Sequence, residues 1–217
     1  MTSAPRTDAR PEEDPIVLIV EDDPMVRSGM ESLFRSAGLR SRSFASAREV
    51  LDGPLPDGVC CFVLDVRLPQ VSGFDLQAEL GRRGQGIPIV FVTGHGDIPM
   101  SVRAMKAGAV DFLVKPFRDQ DMLDAVATAL TRDRARRADD ADRAALLERF
   151  ASLSPREKEV MTMVVSGLLN KQVAASLGLS EITVKLHRAN MMRKMGARTL
   201  AGLVHMAEAL HLESRGA

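Results

Sequence analysis

Five short runs, four of them apolar, punctuate the first half of the chain: "IVLIV" (16–20), "LRSRSF" (39–44), "CCFVLD" (60–65), "IPIVFVT" (87–93) and "VDFLV" (110–114). Each is strand-length. Between and after them lie stretches of helical spacing at 24–37, 46–52, 73–82, 98–107 and 119–131. Strands that are apolar on both sides, alternating with helices, predict a parallel sheet covered on both faces. The second run is polar and suits an edge. The first module is therefore expected to be a doubly wound, five-stranded parallel (βα)5 domain, α/β in class.

Residues 132–150, "RDRARRADDADRAALLERF", carry Ala and charge without Gly or Pro. They predict a helical linker, continuous with the helix before it. Texture changes again at "SLSPREKEVM". Ser154 is placed to cap a helix, with Pro155 at its first position and Glu157 three residues on, a capping box with a proline start. That helix is expected to run to Gly167. A short one follows at about 171–177, then a turn at Gly178–Leu179. Ser180 caps a longer helix to about Met195, and a last helix covers 199–212. Four helices with a tight turn between the second and third predict an all-α helix-turn-helix domain. The expected divisions are 1–14 as a flexible tail, 15–131, the linker 132–150, and 151–217.

Charge sharpens this division. The 217 residues carry formal net charge zero. Residues 1–130 hold 14 Lys/Arg against 19 Asp/Glu, whereas 151–217 hold 9 against 5. An acidic front and a basic back imply different partners. No apolar run reaches membrane-spanning length, and the first residues lack a signal-peptide core. The two cysteines, Cys60 and Cys61, are adjacent in a strand and point to opposite faces, which argues against a disulfide framework and suits a reducing cytoplasm.

The chemistry gathers where strands end. In open parallel sheets, ligands sit beyond the carboxyl ends of the strands. There the chain places Glu21, Asp22 and Asp23, then Asp65, then Thr93 with Gly94, then Lys115 before Pro116. Carboxylates so close repel one another and call for a cation. An all-oxygen cluster at an open edge suits Mg²⁺. Asp65 then reads as a nucleophile that forms an aspartyl-phosphate, with Lys115 and Thr93 contacting phosphoryl oxygens. Taken singly, "EDDP" is a helix cap, Asp65 a turn residue and Lys115 a surface residue. The combination at four strand ends favours function.

These residues carry a resemblance. "VEDDPMVR", "LDVRLPQVSGFDL" and "VTGHGDIPMSVRAMKAGAVDFLVKPF" resemble the receiver domain of two-component response regulators of the NarL/FixJ family, the FixJ-like branch in particular. The resemblance implies that Asp65 is the phosphoacceptor. It implies that Asp22, Asp65 and the backbone carbonyl of Arg67 hold Mg²⁺, with Glu21 assisting through water. Glutamate at position 21, where aspartate is frequent, alters the metal geometry. Thr93 and Phe112 match the switch pair, Lys115 the family lysine, and the Lys115–Pro116 bond is expected to be cis. Phosphorylation would draw Thr93 inward and let Phe112 rotate, changing the face made by 98–107 and 110–114 into a dimer interface. A Phe112 that is simply a core aromatic is the plainer alternative.

The second resemblance covers 152–212. "NKQVA" and "TVKLHRANMMRKM" are similar to a LuxR-type helix-turn-helix, which implies DNA binding. In the helix after Ser180, Val184, Met191 and Met195 should face the domain core. Ile182, Lys185, Leu186, Ala189 and Arg193 fall opposite. Lys185 is placed for a guanine edge, and Leu186 and Ala189 for thymine methyls. Asn170, Lys171, Thr183, Arg188, Arg193 and Lys194 suit phosphates. A solvated helix face is the plain alternative for the cations, and packing against another helix for Ile182 and Leu186. His187 reads as structural, not as a metal ligand.

The resulting expectation is a cytoplasmic, phosphorylation-controlled transcription factor and not an enzyme. Its expected partners are a sensor histidine kinase, double-stranded DNA and a second copy of itself, with RNA polymerase a further candidate and no membrane. Activation of transcription is the expected direction, and in the unphosphorylated state the acidic module masks the basic one. Two other classes compete. A haloacid-dehalogenase-type phosphatase needs an acid two residues beyond the nucleophile, where this chain has Arg67. A constitutive DNA binder would use the first module only as an interaction domain.

Overall fold

The computed structural model describes residues 14–210. The expected tail lies outside them except for its last residue, as do the final two positions of the helix expected to end at 212. The chain divides into two compact units, one ending at Arg137 and one beginning at Ala138.

In the first unit, β1 (Ile16–Val20), α1 (Pro24–Ser36), β2 (Arg40–Phe44), α2 (Ala47–Asp52), β3 (Cys60–Asp65), α3 (Gly73–Arg82), β4 (Ile89–Thr93), α4 (Ile98–Lys106) and β5 (Asp111–Val114) alternate. All strand pairs are parallel, in the order β2-β1-β3-β4-β5. The polar second strand lies at an edge. Because successive side chains alternate across a strand, one apolar run supplies two cores. Leu18, Val20, Phe62, Leu64 and Phe91 pack with Val50, Leu76, Leu80 and Ala104 on one face. Val17, Ile19, Val63, Val90 and Val92 pack on the other with Met30 and Phe34 of α1 and with Met122, Val126 and Ala129. The last three belong to α5 (Asp119–Ala151).

Helix α5 runs without a break through the stretch read as a linker, and the first unit extends to Arg137. The reason is a buried carboxylate. Asp133 is fully buried and accepts the Cys60 backbone N–H at 3.0 Å, at the start of β3. Arg136 and Arg137 pair with it at 2.6 and 2.7 Å, and Arg137 also donates to the carbonyl of Asp57.

The second unit holds α6 (Pro155–Val165), α7 (Asn170–Leu177), α8 (Glu181–Met195) and α9 (Leu200–Ala209), with the end of α5 beside them. The capping box forms: the Glu157 N–H donates to the Ser154 hydroxyl at 3.2 Å, and the Ser154 N–H to the Glu157 carboxylate at 2.8 Å. Gly178 ends α7 in the left-handed region at φ 65°, a conformation that lets the chain turn directly into α8. Val160, Met161, Val173, Val184, Met191, Met195 and Leu203 form the core, with Leu146 and Phe150 of α5 against it.

Candidate functional site: an acidic cluster at the strand ends and an exposed helix face

Parallel strands in one register bring their carboxyl ends to a common edge. Val20 lies opposite Leu64, and Asp65 opposite Val92. Glu21, Asp22 and Asp65 are thereby gathered so that one carboxylate oxygen from each lies within 4.8 Å of the others. Glu21 and Asp65 are buried, while Asp22 is exposed. Lys115, just past β5, bridges the two buried acids, 2.5 Å from Glu21 Oε2 and 2.7 Å from Asp65 Oδ2. The Lys115–Pro116 bond is cis.

Electrostatics follow from this enclosure. Burial pushes the Glu21 carboxyl above its ordinary range and the Asp65 charge adds to the rise, against the opposing pull of Lys115. Burial alone would lower the Lys115 ammonium, but its bonds to Asp65 and Glu21 outweigh that and raise it. One ammonium shared by two buried acids, with a third acid at the mouth, leaves excess negative charge. An all-oxygen set of this kind fits a hard divalent cation.

The other residues singled out in the sequence have separate places. Asp23 caps α1, accepting the Met25 and Val26 N–H groups at 2.8 and 3.3 Å. Thr93 is fully buried at the end of β4, and its hydroxyl accepts the His95 N–H at 3.3 Å. Phe112 is half-buried, in register with Phe91, and packs on the core. Arg67 meets the site through its backbone N–H, which donates to Asp65 Oδ1 at 2.9 Å. A Cβ at Gly94 would meet nothing within 4 Å.

Three supporting residues escaped the sequence reading. Arg27 donates to the carbonyls of Glu21 and Asp22 at 2.7 and 3.3 Å and braces the acidic loop from α1. Gly73 begins α3 so close to the end of β3 that a Cβ there would lie 2.4 Å from the Asp65 carbonyl oxygen. Gly96 packs against Val114, Phe112 and Thr93, and a Cβ would lie 2.6 Å from the Val114 side chain. The arginine had a weak signal, one helical turn into an amphipathic segment. The glycines had none, because their need comes from close approaches that exist only in the folded chain.

In the second unit, α8 divides as its spacing predicts. Val184, Met191 and Met195 are buried. Lys185, Leu186, Ala189 and Arg193 are exposed, as is Lys171 on α7. Ile182 and Leu186 are 80% and 60% exposed, so neither packs within the domain. Arg188 is half-buried and donates to the Asn170 side chain at 3.0 Å, tying α8 to the start of α7. Thr183 holds its N–H on the Ser180 hydroxyl at 3.1 Å. Lys194, expected at a phosphate, has its ammonium 2.6 Å from buried Glu157 and 3.3 Å from the Ser152 carbonyl. It links α8 to the start of α6. His187 is half-buried, and among the described residues no metal cluster includes it.

The model of the response regulator receiver domain matches residues 17–127, and that of bacterial regulatory proteins of the luxR family matches 151–207. Nodulation protein W of Bradyrhizobium diazoefficiens is 57% identical over 92% of this chain and 88% of its own. The transcriptional regulatory protein FixJ of Azorhizobium caulinodans is 43% identical, covering 88% of this chain and 90% of its own. Among solved structures, the low-resolution structure of the response regulator StyR matches with a TM-score of 0.79 and 47% identity, over 90% of this chain and 98% of that one.

Proposed function

The chain belongs to the NarL/FixJ family of response regulators, a receiver domain followed by a LuxR-type DNA-binding domain, and from that premise we propose that Asp65 is the phosphoacceptor that controls it. The family regulates transcription in two-component systems. The observation that carries the assignment of Asp65 is the buried pair of acids bridged by Lys115.

In this reading Asp22, Asp65 and the Arg67 carbonyl would hold Mg²⁺, with Glu21 assisting through water. Bound there, the ion would neutralise negative charge on phosphoryl oxygens. Asp65 attacks the phosphorus of a phosphohistidine on the sensor kinase. The P–N bond breaks, the imidazole leaves with its electron pair and takes up a proton, and an acyl phosphate remains. The nucleophile is held rigidly by β3 and by the Arg67 N–H. Lys115 stays as a charge partner for the new oxygens. The Thr93 hydroxyl, which accepts the His95 N–H at 3.3 Å and donates to the His95 carbonyl at 3.4 Å, turns toward the phosphoryl group, and Phe112 rotates in response. The product is a modified regulator, so the chain acts as a switch and not as an enzyme that turns over a substrate.

The consequence is dimerisation through α4 and β5, followed by engagement of paired half-sites on DNA and activation of transcription. Exposed Ile98, Val102 and Met105 on α4 and Val114 on β5 support that face. The DNA contacts in this reading are Lys185, Leu186 and Ala189 to bases and Asn170, Lys171, Thr183, Arg188 and Arg193 to phosphates. RNA polymerase is the partner of the activated dimer, and the place is the cytoplasm. Among the described residues no helix is long and apolar enough to cross a membrane.

The deciding experiment is intact mass after incubation with acetyl phosphate, for wild type and Asp65→Asn, each with Mg²⁺ and with EDTA. One acid-labile phosphoryl group that needs both Asp65 and Mg²⁺ is expected. A group that persists in Asp65→Asn overturns the assignment.

A further inference from the structure

Helix α8 presents to solvent a face that is mostly apolar, and that is unusual for a helix meant to read DNA. At about 100° per residue, Ile182, Lys185, Leu186, Ala189 and Arg193 fall within an arc of about 100°, opposite the buried Val184, Met191 and Met195. All five are exposed. Ile182 and Leu186 stand one turn apart in the first half of the helix, at 80% and 60% exposure, outside the domain core. Base edges are met by the N-terminal part of a recognition helix. There the face offers a single hydrogen-bonding side chain, Lys185. It has no Asn, Gln, Ser or Thr, and Arg193 lies in the last turn.

Hydrogen-bond readout on this face is therefore limited to one cation. What remains for discrimination is shape and apolar contact. In the major groove the one apolar group on a base edge is the thymine C5 methyl. Arg193 on the same arc and Lys171, exposed on α7, complement a phosphate backbone.

We infer that Ile182 and Leu186 form a specificity ridge that reads thymine methyl groups, so that each half-site carries T·A pairs beneath it beside a guanine for Lys185. This rests on the DNA-binding reading above and adds Ile182 to the contact set. A ridge that docks instead on another protein is the rival that the test exposes.

The test uses the full chain treated with acetyl phosphate and Mg²⁺. Duplexes bound by wild type are selected from a randomised pool, and each thymine of the winning duplex is then replaced by deoxyuridine, which lacks only the methyl. Each contacted thymine should cost wild type about threefold to fivefold in affinity. In Ile182→Ala/Leu186→Ala, whose changes lie on the surface, that penalty should vanish, and affinity should fall more for the selected duplex than for unrelated duplex. Deoxyuridine without effect in wild type, a penalty that survives in the variant, or an equal loss of unrelated binding in the variant each overturns the ridge. Wild type that binds duplex but selects no sequence overturns it too, with DNA binding intact. Wild type that binds no duplex overturns the DNA-binding reading itself.

Discussion

At the scale of single residues, the site depends on groups that touch no substrate. Gly73 is the sharpest case. Its hypothetical Cβ would meet backbone at 2.4 Å, not a flexible side chain, so Gly73→Ala must shift α3 or the strand end that holds Asp65. The expected cost is about 1–3 kcal/mol, read as a lower thermal midpoint, together with slower phosphorylation by acetyl phosphate. Unchanged rates and stability would mean that the strand end tolerates the movement. Lys115→Ala removes the one ammonium between two buried acids. Loss of one preorganised electrostatic partner should slow phosphorylation roughly hundredfold, measured by mass spectrometry over time. The acids and the lysine were legible in the sequence because strand ends in a parallel sheet are placed by topology. Arg27 and Gly73 were not, because a brace and a close approach exist only once α1 and α3 have docked.

At the scale of elements, two buried carboxylates fasten helices. Burial pushes the Asp133 carboxyl up, but the Cys60 N–H and the Arg137 and Arg136 guanidiniums outweigh it and hold the group below the ordinary carboxylate range. A carboxyl lowered by folding stabilises the native state above its unfolded pKa, and that stability is lost as pH falls through the ordinary range and below. Asp133→Ala should therefore cost roughly 3–5 kcal/mol near neutrality. The gap from wild type should shrink on acidification, in urea titrations that follow the receiver unit. A constant gap would remove the ion pairs from the explanation. Glu157 is held low in the same way: burial raises it, and the Lys194 ammonium and the Ser154 N–H more than compensate.

Lys194 then separates structure from binding. If it fastens α6 to α8, Lys194→Ala lowers the thermal midpoint of the DNA-binding unit by roughly 1–3 kcal/mol in stability terms and leaves the salt dependence of DNA affinity unchanged. Lys171→Ala should do the reverse, lowering the log–log salt slope by about 0.9 without loss of stability. Salt slopes that change equally in both variants would return Lys194 to the phosphate contacts.

At the scale of the whole molecule, the phosphorylated chain is expected to associate through the exposed apolar residues of α4 and β5. Val102→Asp should keep phosphorylation at Asp65 while the protein sediments as a monomer in both states. Wild type should shift to a dimer on phosphorylation. Equal monomer fractions in wild type before and after phosphorylation would remove this face from the mechanism.

The order of strands and helices, the sign of charge in each half and the acids at the strand ends were set by the sequence alone, since they depend on periodicity and on topology that periodicity implies. Tertiary structure decided the rest. It turned Lys194 inward to a buried glutamate, although its spacing allowed a phosphate contact. It carried the first unit past 131, because Asp133 found the Cys60 amide at the start of β3. It also left Ile182 and Leu186 uncovered. A linear pattern reports which face a residue shares, but not whether another element comes to cover that face or which charge lies within reach across it.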